Sequence, residues 1–196
     1  MHFHKNCLLL LPFFLVRYAT AQTKAAEFTL LHTQTTLPWK TLPSQVWHPG
    51  FKLSYLVNNN HRKRWVKEFQ AGYLVHPHLF RMFNAGYGYR YEIIPSNNVF
   101  RLAAGLSAGP ILQQTTEPVF EIKNGIWQPG HSKWQVKGFA SLVLKAGYRV
   151  PGIKGMAAFA GINCWAHAPY VAQLTTVLPH RNYEISIQYN FSTLKK

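Results

Sequence analysis

Histidine is the residue type in this sequence with the clearest capacity for chemistry. Neutral imidazole is a common metal ligand and, beside an oxygen nucleophile, a general base. Of the eight histidines after residue 22, seven lie on or beside predicted connections between strands: His32, His48, His76, His78, His131, His167 and His180. The His76-x-His78 spacing places two rings on one face of an extended segment, where they could chelate an ion. The candidate ligands for zinc, copper or haem iron are His76, His78, His131, His167 and His180.

The neighbours of these histidines in the sequence favour a plainer interpretation. No carboxylate or cysteine lies close to the His76-x-His78 pair, so the remaining ligands of a metal site cannot be assigned. The histidines are then ordinary residues of a chain that contains no aspartate. On this basis we predict no cofactor.

A hydrolytic site at the same rim would need a nucleophile and a base. Ser132 follows His131 directly, and Glu117 and Glu121 lie in the same predicted connection. These residues could form a triad, but adjacency in sequence does not establish geometry, and no specific motif accompanies them. A lipid-modifying hydrolase is therefore an alternative, whereas the sequence favours a protein without catalytic activity.

Two further patterns could bind phosphate. The stretch "AGYGYRYE" at 85–92 has two glycines but lacks the third glycine and the following helix of a dinucleotide loop. The stretch "HRKRW" at 61–65 is a basic cluster with an aromatic residue. In an exported chain this cluster is better suited to lipid or lipopolysaccharide phosphates than to nucleic acid. We predict no nucleic-acid partner.

The first 21 residues have the pattern of a secretory signal peptide. Basic residues precede an apolar run at 7–16, and "ATA" follows at 19–21. We predict a signal peptide at 1–21 and one domain at 22–196. Without Lys5 and Arg17 the net charge falls from +15 to +13, which favours anionic neighbours. Cys164 is then the only cysteine, so no intrachain disulfide is expected.

Alternation with a period of two runs through most of the chain and predicts strands. In "YEISIQYNF" at 183–191 the apolar residues occupy one face and the polar residues the other. Turn residues separate the alternating runs. The predicted strands are 25–32, 50–58, 64–75, 79–93, 98–109, 134–149, 156–168 and 181–191. After residue 22 no apolar run is long enough for a transmembrane helix, so a membrane role requires a closed barrel.

The connections favour an all-β fold, an eight-stranded antiparallel up-and-down transmembrane barrel. In such barrels both termini and the short turns lie on the inner side, and the long loops lie on the outer side. The long predicted connections 33–49, 110–133 and 169–180 all fall on the outer side. Only "HPH" at 76–78 is an unexpectedly short outer connection. A soluble barrel with its apolar face inside is the competing architecture.

The two faces of the strands carry different residue types. Aromatic rings gather at both lipid–water boundaries of a membrane barrel. The predicted interface aromatics are Tyr73, Tyr87, Tyr89, Tyr91, Tyr148, Tyr189 and Phe191. The interior of an eight-stranded barrel is only wide enough for side chains to fill it, which predicts a closed pore. The predicted charge network of the lumen is Glu68, Arg90, Glu92, Arg101, Lys137, Lys145 and Glu184.

The closing strand "YEISIQYNF" resembles the phenylalanine-terminated last strand of bacterial outer-membrane barrels. The stretches "HPGFKLSY", "GYGYRY" and "LPHRNYEISIQY" are similar to a poorly characterised group of small outer-membrane barrel proteins from Bacteroidota-type bacteria, over about residues 49–191. One departure is the tail "STLKK" after Phe191, because the closing strand of that group usually ends the chain. The resemblance implies an outer-membrane location and no reaction.

These observations predict an integral outer-membrane β-barrel over 22–196, with a structural or surface-binding role and a lumen filled by side chains. The predicted partners are outer-membrane lipid and lipopolysaccharide. An extracellular ligand would bind at loops 33–49, 110–133 and 169–180. The alternatives are the lipid-modifying hydrolase and a metal- or haem-capturing barrel that uses the outer-rim histidines.

Overall fold

Strands account for nearly all of the chain that the structure describes. A computed structural model describes residues 23–35, 48–58, 64–76, 80–95, 99–116, 119–123, 125–130, 134–169 and 177–191. The predicted signal peptide at 1–21 lies outside these ranges. The strands are β1 Thr23–Thr35, β2 Pro49–Asn58, β3 Trp65–His76, β4 Phe80–Ile93, β5 Phe100–Thr115, β6 Val119–Lys123, β7 Ile126–Gly130, β8 Trp134–Arg149, β9 Met156–Ala168 and β10 Leu178–Asn190. Within the described ranges we find no helix with the length and apolar character needed to span a bilayer.

Eight of these strands close into an antiparallel barrel in the order β1-β10-β9-β8-β5-β4-β3-β2. The last strand pairs with the first, with Ala25 opposite Asn190 and Thr35 opposite His180. Closure pairs the two strands that would otherwise be edges, so the barrel does not offer an open edge to another chain. The predicted eight-stranded antiparallel barrel is confirmed.

Several strands extend beyond their predicted ends. β1 covers Thr23–Thr35, where alternation predicts 25–32. β5 continues to Thr115 through Gly109 and Pro110, which look like a turn in the sequence. Pro110 instead lies within the strand, opposite Gly138, with its side chain exposed. The predicted connection 110–133 also contains a two-stranded hairpin of β6 and β7, which alternation does not predict.

The connections distinguish the two ends of the barrel. We call one end the inner end, after the predicted orientation; it holds the start of β1, the end of β10 and the connections 59–64, 94–99 and 150–155. The outer end holds the connections 36–48, 77–79, 116–133 and 169–177. Gly152 has a φ of 78° and Gly155 a φ of 83°, both in the left-handed region that favours glycine, which allows a tight inner turn there.

Side chains alternate between the lumen and the outer surface along the barrel strands. In β10, Glu184 and Ser186 are buried in the lumen, whereas Ile185 and Ile187 are exposed on the outside. The exposed outer surface is rich in large apolar residues, and Val136 is 74% exposed. A soluble barrel has the opposite arrangement, with its apolar face inside. A polar interior under an apolar exterior is characteristic of membrane barrels.

The lumen is filled in layers from the inner to the outer end. Ala25, Leu56 and Val66 form a small apolar cluster near the inner end. Charged side chains occupy the middle. A second apolar cluster lies toward the outer end and contains Leu31, Leu74, Phe80, Met82, Ile111 and Trp165, with Phe139 packed against it.

The glycines of the three Ala-Gly-Tyr sequences lie on the lumen-facing side of their strands. Gly72 and Gly147 are buried, and Gly86 is half-buried. At Gly147 an added Cβ would overlap the ring of Phe159 on the neighbouring strand. Glycine here makes room for a large side chain inside a narrow barrel.

Candidate functional site

A network of charged side chains crosses the middle of the lumen. Glu27 from β1 is its centre: one carboxylate oxygen lies 2.6 Å from Nη1 of Arg90, and the other lies 2.6 Å from Nζ of Lys145. Arg90 also reaches Glu68, with 3.0 Å between Nη2 and Oε2. The Arg90 guanidinium therefore bridges carboxylates from two strands.

Glu184 extends the network to the other side of the barrel. Its carboxylate lies 2.8 Å from Nζ of Lys145 and 3.1 Å from Nζ of Lys52, and it accepts a hydrogen bond from Asn163 at 2.9 Å. The six charged side chains of the network are at most 7% exposed. Three are acidic and three are basic: Glu27, Glu68, Glu184, Lys52, Arg90 and Lys145. We call this balanced set the ionic layer.

The structure brings together four of the seven charged residues that were predicted for the lumen. Glu68, Arg90, Lys145 and Glu184 belong to the ionic layer. The other three predicted residues also lie on lumen-facing positions but outside these five ion pairs. Glu92 and Lys137 are buried and Arg101 is half-buried.

The prediction missed Glu27 and Lys52, although both belong to the ionic layer. Glu27 lies between outward-facing Ala26 and Phe28, and Lys52 lies between Phe51 and Leu53. The same alternation that identified Arg90 therefore marks both residues.

A small cavity separates the ionic layer from the apolar cluster above it. Its volume is about 30 Å³, and its polar lining includes Lys52, Asn84, Asn163 and Glu184. A buried water needs roughly 10–15 Å³ on this scale, so the cavity has room for one or two water molecules. Apolar side chains such as Leu31, Leu74 and Ile111 line the rest of it, so the cavity is a small gap between the two layers of the packed lumen.

Histidines from four segments meet inside the outer end of the barrel. His180 and His167 are buried, with 3.1 Å between Nε2 of His180 and Nδ1 of His167. His76 stacks on buried His48, with ring centroids 3.8 Å apart. Phe80 packs against His76, His167 and His180 at centroid distances of 5.5, 6.2 and 6.1 Å.

The structure thus gathers three of the five candidate metal ligands, His76, His167 and His180, and adds His48. The other two candidates, His78 and His131, lie outside the described residues. Across the part of the chain that the structure describes, no three His, Cys, Asp or Glu side chains are arranged to hold a metal ion.

The candidate hydrolytic residues fall mostly outside the described ranges. Glu117, His131 and Ser132 are not described, and Glu121 lies in β6 of the outer hairpin. The HRKRW cluster is described only at Arg64 and Trp65, at the inner end of β3. Nη1 of Arg64 donates a hydrogen bond of 3.4 Å to the Tyr91 hydroxyl.

Six of the seven predicted interface aromatics lie on the lipid-facing side of the barrel strands, and Phe191 directly follows β10 at the inner end. Toward the inner end Trp65 packs on Tyr91 at a centroid distance of 5.1 Å, and Tyr189 on Phe191 at 5.5 Å. Tyr89 and Tyr148 are also exposed there. Tyr73 lies in the outer half. Tyr87 is opposite Phe69 and lies near the middle of β4, away from both ends of the strand.

Comparison with known proteins identifies the fold. No protein-family model matches the chain, and no curated protein matches its sequence. Neisserial surface protein A is similar in structure, with a TM-score of 0.59 and 10% identity over 88% of this chain and 98% of that one. This chain has the fold of small bacterial outer-membrane barrels.

Two further outer-membrane proteins resemble it less closely. Ail, the attachment invasion locus protein of Yersinia pestis, has a TM-score of 0.47 and 13% identity over 87% of this chain and 97% of that one. OprG from Pseudomonas aeruginosa has a TM-score of 0.45 and 11% identity over 87% of this chain and 95% of that one. These likenesses do not support the narrower Bacteroidota-type grouping, which stays a prediction.

Proposed function

We propose that the protein is an integral outer-membrane β-barrel with a structural or surface-binding role and a blocked lumen. The observation that carries this proposal is an apolar outer surface around a balanced, buried ionic layer. An apolar exterior over closed strands suits the hydrocarbon of a bilayer. The ionic layer and the apolar cluster above it fill the space through which ions would pass.

The outer connections are the proposed surface for a partner. The β6–β7 hairpin lies within the connection between β5 and β8, with Val119 opposite Gly130 and Lys123 opposite Ile126. Ile126 at its tip is 63% exposed. Residues that are already paired in strands lose less conformational entropy on binding than residues of an irregular loop.

Two measurements test the proposal. Cell fractionation should recover the protein with outer membranes, released only by detergent, and planar-bilayer recording of the purified protein should show no discrete conductance steps. A soluble protein that needs no detergent would refute the membrane location. Discrete open levels would refute the blocked lumen and leave the location standing.

The two alternative functions gain no specific observation. The hydrolase residues lie mostly outside the described ranges, and the gathered histidines do not form a three-ligand site among the described residues. Mass spectrometry of lipid A from cells with and without the protein tests the hydrolase, because an unchanged lipid A pattern removes it.

A further inference from the structure

Aromatic side chains mark a membrane boundary on one wall of the outer half of the barrel. Phe83 of β4 lies 4.5 Å from Tyr73 of β3 and 6.1 Å from Trp134 of β8, measured between ring centroids. Phe83 and Trp134 are both exposed on the outer surface. Aromatic rings prefer the boundary between hydrocarbon and headgroups, so these rings locate that boundary next to β4.

Arg81 lies just beyond this boundary. It precedes Phe83 by two positions in β4, on the same outward face and nearer the outer end. A strand rises about 3.3 Å per residue and tilts about 40° in a barrel, so Arg81 lies roughly 5 Å further out than Phe83. Because Phe83 lies at the boundary, that distance places the Arg81 guanidinium in the headgroup region.

Neighbours on two other strands hold the Arg81 side chain. Its Nε donates a hydrogen bond of 2.8 Å to Oε1 of Gln114, and its Cζ lies 6.0 Å from the ring centroid of Trp134. Gln114 is opposite both Arg81 and Trp134 in the sheet. With Nε engaged, the two Nη groups are left to present the fork that binds phosphate through paired hydrogen bonds.

The charge of the outer wall favours an anionic lipid. The four glutamates of the described barrel strands, Glu27, Glu68, Glu92 and Glu184, are all buried in the lumen. Every charged residue on an outward-facing position of these strands is therefore cationic. Those residues are Lys24, Lys67, Arg81 and Arg181.

We propose that Arg81, Gln114 and Trp134 form a binding site for a phosphate group of lipid A in the outer leaflet. The site rests on the proposed outer-membrane location, because the lipid is found in that leaflet. The Arg81 guanidinium binds the phosphate, Gln114 positions the guanidinium, and the Trp134 ring contacts the glycolipid beside the phosphate.

Native mass spectrometry of the full chain in detergent, titrated with bisphosphorylated lipid A and with its dephosphorylated form, tests the site. The wild type should prefer the phosphorylated lipid. Arg81→Gln should weaken lipid A binding about tenfold, as expected for the loss of one charge-assisted hydrogen-bonded pair, and should leave the dephosphorylated lipid unaffected. Arg81→Lys keeps the charge without the fork and should fall between the wild type and Arg81→Gln.

Arg181 provides the matched control. It lies two positions beyond exposed Tyr183 in β10, on the opposite wall of the barrel, so Arg181→Gln removes the same charge at a similar depth. We expect Arg181→Gln to change lipid A affinity by less than about twofold.

Three results would overturn the site: unchanged binding by Arg81→Gln, equal losses in Arg81→Gln and Arg181→Gln, or equal affinity of the wild type for both lipids. Heat-modifiable migration on gels verifies that each variant is a folded barrel. Cell fractionation reports the location separately, so a failure of the lipid site and a failure of the proposed function are distinguishable.

Discussion

Replacing Arg90 with methionine tests whether balanced ion pairs hold the lumen closed. The Arg90 side chain is fully buried and lies 2.6 Å from Glu27 and 3.0 Å from Glu68. Methionine retains much of the length of arginine without its charge. The variant therefore leaves the ionic layer with three acidic and two basic groups.

The structure sets the expected size of the effect. Removing one partner of a buried ion pair destabilises a protein by roughly 3–5 kcal/mol, because an uncompensated charge stays buried. Glu27 would retain Lys145 at 2.6 Å, so we expect the lower end, about 3 kcal/mol, for Arg90→Met. Adding Glu68→Gln restores the charge balance and should recover at least half of this loss.

Urea unfolding in phospholipid vesicles, followed by tryptophan fluorescence and linear extrapolation, gives the free energies of unfolding. Lys67→Met serves as the control, because Lys67 lies on the outer surface near the inner end, and it should change stability by no more than about 0.5 kcal/mol. A loss below about 1 kcal/mol for Arg90→Met would mean that water solvates the layer, and the reasoning would fail. The same conclusion follows if the double variant is as unstable as the single one.

Three further changes probe the packing of the barrel and its orientation. Gly147→Ala places a methyl group against the facing Phe159 ring and should destabilise the barrel by about 1–3 kcal/mol in the same unfolding assay. Gly138→Ala, where the atom nearest to the added methyl group is 3.9 Å away, should leave the stability almost unchanged. His180→Ala removes a buried hydrogen bond to His167 and a ring stack on Trp165, so it should lower the free energy of unfolding by about 2 kcal/mol. His32→Ala, at a half-buried outward position, should lower it by less than about 0.5 kcal/mol. Equal losses would contradict the buried histidine packing. Cys164 is exposed on the outer surface of the barrel, so in vesicles the bilayer should cover its thiol and protect it from a water-soluble maleimide. The thiol should react after unfolding, and equal rates before and after unfolding would contradict a lipid-facing wall.

Alternation predicted most of the fold because side-chain direction in a strand depends only on position along the chain. The predicted strand 134–149 coincides with β8, and 156–168 coincides with β9. The errors occur where a local signal competes with pairing. Gly109 and Pro110 indicate a turn, yet β5 continues through them because the neighbouring β8 supplies pairing partners.

The charged residues of the lumen show where sequence reasoning reached its limit. Parity identifies which side chains point inward, and it marks Arg90 and Glu184 as readily as the missed Glu27. Parity does not give the height of a residue in the barrel. The contact between Lys145 and Glu27, which are 118 positions apart, depends on the register of every strand between them.

The sequence by itself determined the strand pattern, the polar and apolar faces and the separation of long from short connections, because each of these follows from local period and composition. Only the tertiary structure decided which inward residues meet. Closure of the barrel brings Glu27 of β1 against Arg90 of β4 and Lys145 of β8, and it brings His76 and His180 to one end of the lumen. Such meetings are set by register and closure, which are properties of all the strands together.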